Sequence, residues 1–185
     1  MAQRNVAVIV GSLREGSFTR HCAKALVSLA PAEMSCEFVE IGDLPLYNQD
    51  LDTDHPPAPW VRFRDAIRPK DGVLFVTPEY NRSVPGVLKN AIDVGSRPYG
   101  QSVWSRKAAA IVSTSPGALG GFGANHHLRQ SLVFLDMPVL QQPEAYIGQA
   151  NKLFTEDGQV TDDGSRKFLS GFMTAFADLI ERAKA

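Results

Sequence analysis

Five short apolar runs, over residues 6–10, 36–41, 72–77, 108–113 and, more weakly, 144–147, alternate along the chain with segments whose apolar residues recur every three or four positions. That alternation constrains the fold more than any other feature. Runs of this length without polar alternation read as strands buried on both faces, and parallel strands need a crossover helix between them. The crossovers are visible as apolar stripes. Phe18, Cys22, Ala25, Leu26 and Leu29 form one, and Trp60, Phe63 and Ile67 another, stopped by Pro69. Residues 84–93 and 128–135 continue the series, and Phe168, Phe172, Phe176, Leu179 and Ile180 stripe the last helix. The order βαβαβαβαβα predicts an α/β fold, a doubly wound five-stranded parallel sheet with helices on both faces.

In such a sheet the ligand crevice lies at the carboxyl ends of the strands, so the loops leaving strands one, three and four matter most. The loop after the third run, Thr77-Pro78-Glu79-Tyr80-Asn81-Arg82-Ser83-Val84-Pro85-Gly86, spends two internal prolines on a stiff backbone, which suits main-chain contacts with a flat ligand. The loop after the first run, residues 11–20, brings hydroxyls and Arg14 to a helix N-terminus. That is either an anion cradle or a capped helix start with Ser17 as N-cap. The loop after the fourth, residues 113–123, is rich in glycine and serine. It reads as close backbone approach to a planar group or as a flexible connector.

Several chemistries are excluded. Gly11 and Gly16 have the spacing of a triphosphate-binding loop, but Ser17-Phe18 stand where Lys and Ser/Thr are needed, and no GxGxxG or GxSxG occurs. Position 28 is Ser28 and Cys22 falls within a helix, so a cysteine phosphatase loop is absent too. His126 and His127 are helical neighbours about 100° apart and do not suit one metal ion. A single terminal phosphate is the best anion.

The 185 residues suit one domain over 1–185 that buries roughly two-thirds of its unfolded surface. Nineteen basic against 20 acidic residues, net charge -1, indicate no electrostatic grip on nucleic acid or membrane. No apolar stretch approaches the ~20 residues of a membrane span, and the stretch from Met1 to Asn5 lacks a leader pattern, so a cytoplasmic location is expected. Cys22 and Cys36 form no disulfide or metal pattern; both are expected reduced, with Cys22 filling the core.

The chain resembles the flavodoxin-like NAD(P)H-dependent FMN reductases, the group that includes bacterial quinone and chromate reductases. Gly11-Ser-Leu-Arg14, Leu44-Pro-Leu-Tyr-Asn-Gln-Asp50, the stretch from Thr77 to Gly86, Leu88-Lys-Asn-Ala-Ile-Asp93, Ser96-Arg-Pro98 and Ser115-Pro-Gly117 with Gly120-Gly121 carry the likeness. The resemblance implies strand order 2-1-3-4-5 and bound FMN. It places Ser12, Arg14 and Ser17 at the phosphate, with Phe18 and Thr19 beside them in the cofactor site. It sets Pro78, Glu79, Tyr80 and Asn81 around the ring and ribityl chain, and Ser113, Ser115, Pro116 and Gly117 on the ring's other side. Thr19 stands where the family commonly has Asn, and its hydroxyl is a substitute donor. Val94 replaces a frequent Trp, and Gly123 and His126 replace an Arg and a Tyr.

The resemblance further implies hydride transfer from NADPH or NADH to quinones, free flavin, azo compounds or metal oxyanions such as chromate, in a homodimer or homotetramer. No side chain is singled out as catalytic, because the chemistry falls to the flavin N5. The alternative is a flavodoxin-type electron carrier. Such carriers are usually strongly acidic, and this charge balance disfavours one.

Overall fold

The computed structural model describes residues 3–184. Met1 and Ala2, on which the leader reading partly rests, lie outside the described residues. Five strands, β1 (Arg4–Val10), β2 (Met34–Phe38), β3 (Gly72–Pro78), β4 (Ala108–Thr114) and β5 (Ala145–Ile147), form one parallel sheet in the order β2-β1-β3-β4-β5. Among the described residues six α-helices accompany them: α1 (Phe18–Ser28), α2 (Ala58–Ile67), α3 (Gly86–Gly95), α4 (Phe122–Phe134), α5 (Ala150–Leu153) and α6 (Asp163–Lys184). The expected doubly wound architecture and strand order are what the chain adopts.

The period-two alternation of a strand sends successive side chains to opposite faces. Val6, Val8, Val10, Leu74, Val76, Ala110 and Val112 therefore share one core with α1 and α6, where Phe172 and Phe176 lie. Ala7, Ile9, Val73, Phe75 and Ile111 face the other core, filled by Trp60, Phe63 and Trp104 together with α3 and α4. Both faces of β1, β3 and β4 are buried, so their sequences look uniformly apolar.

Helix starts follow local chemistry. Ser17 caps α1 by accepting from the Arg20 amide, and Pro59 sits in the first turn of α2, where its missing N–H costs no intrahelical bond. Most strand and helix ends lie within two residues of the sequence expectation, and two boundaries and one helix face depart further. β2 runs Met34–Phe38 rather than over 36–41, because it is an edge strand registered on β1 from Arg4↔Met34 to Val8↔Phe38. Ile41 is buried beyond the strand's end. α4 starts at Phe122, well before 128, because its first turn is held by contacts from another loop. On α6 the inward face is Leu169, Phe172, Met173, Phe176, Ala177 and Ile180, which leaves Phe168 on the exposed side.

The segment from Leu44 to Asp52 is anchored by buried side chains. Asn90 donates to the Leu44 and Pro45 carbonyls and accepts from the Tyr47 amide, and the Trp60 indole donates to Pro45. Arg64 makes a bidentate pair with Asp52 at 2.9 Å on both arms and donates to the Val94 carbonyl. The Leu44-to-Asp50 and Leu88-to-Asp93 motifs thus meet each other as a structural unit.

Candidate functional site

At the carboxyl edge of the sheet, the loops after β1, β3 and β4 enclose a cavity of about 280 Å3 lined by Ser12, Arg14, Ser17, Phe18, Thr19, Pro78, Glu79, Tyr80, Thr114, Ser115 and Pro116. Ten of these were expected from the sequence. Ser12, Ser17 and Thr19 are buried and line it, and Ser17 and Thr19 stand at the start of α1, where free amides and the helix dipole favour negative charge. Gly16, at φ +62°, makes the turn that returns the chain to the helix, a conformation side chains resist. Arg14 is exposed; it donates to the Gly16 carbonyl at 3.1 Å and lies 5.0 Å from the Phe18 ring centroid. Its remaining N–H donors meet no acceptor among the described residues.

The β3 loop closes as a tight hairpin turn, with Tyr80 and Ser83 exchanging backbone hydrogen bonds across Asn81 (φ 50°) and Arg82 (φ 65°). Two left-handed central residues define a type I′ turn, which Asn tolerates and Arg resists. Asn81 is exposed and does not line the cavity; its part is in the turn. Glu79 turns away from solvent, its carboxylate accepting from the Ala124 amide at 3.0 Å. Gly121, the N-cap of α4, offers no side chain, so Glu79 from another loop caps this helix. Gly123 permits the approach: a Cβ there would lie 2.8 Å from the Arg82 carbonyl and 3.0 Å from Glu79. His127 adds a bond to Ser83. These contacts dock the β3 loop on the first turn of α4 and explain the helix's early start.

Besides Asn81, two further expected residues, Ser113 and Gly117, do not line the cavity. Ser113 is fully buried on the opposite face of β4 from Thr114, its hydroxyl accepting from Asn125. Gly117 is exposed beside the cavity, its amide donating to the Ser115 hydroxyl and its carbonyl accepting from Gln149. Thr114 was missed, because the fourth run was read as ending one residue early. Continuing the strand's alternation from Val112 would have placed it on the α1 face.

His126 and His127 do not converge: His126 bonds the Tyr146 hydroxyl at 3.0 Å and His127 bonds Ser83. Burial, helped by Glu144, pushes the Tyr146 phenol up to about 12. Burial likewise pushes the Cys22 thiol up, leaving it a protonated core residue. Among the described residues no His, Cys, Asp and Glu group is arranged to hold a metal, and no helix is long and apolar enough to cross a membrane.

The profile of the family described as NADPH-dependent FMN reductase matches residues 4–152, which span the sheet and all three cavity loops. The chain belongs to this family. It is an oxidoreductase that works with FMN and a nicotinamide donor. A quinone reductase of Pseudomonas putida is 61% identical over 181 residues, covering 98% of this chain and 97% of the relative. A 2-hydroxy-1,4-benzoquinone reductase of a Burkholderia species is 49% identical, with 93% of each chain covered. Among solved structures, the flavoenzyme NAD(P)H:(acceptor) oxidoreductase FerB from Paracoccus denitrificans superposes with a TM-score of 0.91 at 45% identity, covering 97% of this chain and 98% of that one.

The cavity suits FMN on its own chemistry. Hydroxyls, Arg14 and helix amides gather at one end, as a phosphate monoester requires, and the one carboxylate on the wall, Glu79, is turned to the α4 amide rather than left to repel an anion.

Proposed function

We propose that this family member is a quinone reductase, taking electrons from NADPH or NADH and passing them to quinones. Full-length similarity to the Pseudomonas putida quinone reductase carries this reading. Bound FMN supplies hydride acceptance and donation. The protein's part is to hold and orient. Ser12, Arg14, Ser17 and Thr19 take the phosphate beside Phe18, while Pro78, Glu79, Tyr80 and the turn built on Asn81 shape the wall along the ring. Ser115, Pro116 and Gly117 border its other side. Ser113 has no place in this set, because its hydroxyl is engaged by Asn125.

The same open site would admit free flavin, azo compounds and metal oxyanions such as chromate. Residues 1–185 act as one cytoplasmic domain. A homodimer or homotetramer would cover the exposed apolar side chains Val133 and Phe134 on α4 and the neighbouring Tyr99.

The test is an anaerobic visible spectrum of the FMN-loaded protein, with NADPH, then NADH, then a benzoquinone added. Bleaching by a nicotinamide followed by recovery of the yellow colour with quinone is expected. Bleaching only by a chemical reductant would instead mark an electron carrier, and retained bleaching after quinone would remove quinones as acceptors.

A further inference from the structure

Thr19 on the first turn of α1 and Thr114 at the end of β4 come from positions 95 residues apart, and their hydroxyl oxygens meet at 2.8 Å. Both residues are almost fully buried, 3% and 2% exposed, yet both line the cavity. Two hydroxyls carry two protons, and the bond between them uses one. No other hydrogen bond engages either oxygen among the described residues, so one O–H is left to donate, and the cavity is the open direction. A buried donor left without an acceptor is unfavourable, and a ligand oxygen relieves it.

We propose that Thr114 is a positioning residue for cofactor binding: its hydroxyl donates to Thr19 Oγ1 and turns the Thr19 proton toward the cofactor phosphate. This rests on the FMN reading given above and adds a residue to it. Thr19 is the terminal donor because it stands on the helix turn whose amides and dipole attract the anion, whereas Thr114 belongs to a strand end. A hydroxyl that accepts one hydrogen bond while donating another is a stronger donor, so the pair acts as a relay. Coupling of this kind is read by a double-mutant cycle.

The experiment is FMN titration, by quenching of flavin fluorescence, of the wild-type protein and of Thr19→Val, Thr114→Val, the double variant and Thr114→Ser, with apo-protein melting recorded for each. Thr19→Val is expected to weaken FMN about tenfold and Thr114→Val about threefold, the double variant matching Thr19→Val. Thr114→Ser, which keeps the hydroxyl, should restore affinity to within about twofold of wild type. Wild-type affinity in Thr114→Val, equal losses in its Ser and Val variants, or losses that multiply in the double variant would each overturn the relay. A greater loss in Thr114→Val than in Thr19→Val would overturn Thr19 as the terminal donor. A wild-type protein that takes up no FMN would bring down the underlying reading and this inference together, an outcome distinct from normal uptake with indifferent variants.

Discussion

The segment from Leu44 to Asp52 and the loop from Gly11 to Ser17 are both polar excursions from the carboxyl edge of the sheet, and they differ in where their hydrogen bonds end. In the first, Asn90, Trp60 and Arg64 reach up from helices and bond the Leu44 and Pro45 carbonyls and the Asp52 carboxylate. In the second, Ser17 makes one long cap at 3.4 Å and Arg14 spends a single N–H on its own loop. Polar groups answered within the protein hold the fold together. Polar groups left unanswered are available to a ligand, which is the part the proposed function gives this loop.

The comparison breaks most visibly at Arg64. Its side chain and that of Asp52 are 7% and 3% exposed. Arg64→Ala strands a buried carboxylate and should cost about 3–5 kcal/mol of stability in urea unfolding. Loss of less than ~1 kcal/mol would mean that Asp52 escapes to water. Arg14→Ala should do the reverse, weakening FMN by roughly 1.5–3 kcal/mol in a titration. Its apo-protein should unfold within ~0.5 kcal/mol of wild type. Unchanged FMN affinity would remove Arg14 from the site.

Glu79 lies between the two regimes, since it lines the cavity but is answered by the Ala124 amide. Glu79→Ala should lower stability by about 1 kcal/mol as the carboxylate at the α4 N-terminus is lost. A stability equal to wild type would show that water caps α4 as well. At the small end, Lys89 and Asp93 form an exposed i,i+4 pair at 2.8 Å. Lys89→Ala should change stability by about 0.3–0.5 kcal/mol or less, and the difference should vanish in high salt.

Much of this was legible along the chain. Apolar runs and stripes reflect burial, which each residue registers locally, so β1, β3, β4 and the two-faced sheet could be read without coordinates. The cavity residues were legible where a motif sits on one loop, as from Ser12 to Thr19 and from Pro78 to Tyr80. What failed has a common cause. Ile41 and Phe168 are apolar but lie outside the strand or inward face that periodicity assigned them. Ser113 and Thr114 are chemically alike; alternation puts them on opposite faces of β4, and tertiary packing decides which of those two faces meets α1.

The sequence by itself determined the doubly wound sheet and the three loops that meet at its edge, because periodic burial and backbone stiffness are properties of neighbouring residues. Tertiary structure alone decided that Glu79 caps α4, that Arg64 answers Asp52, and that Thr114 meets Thr19. Each of these joins residues separated by 12 to 95 positions, and a hydrogen bond depends on direction and distance that residue spacing does not encode.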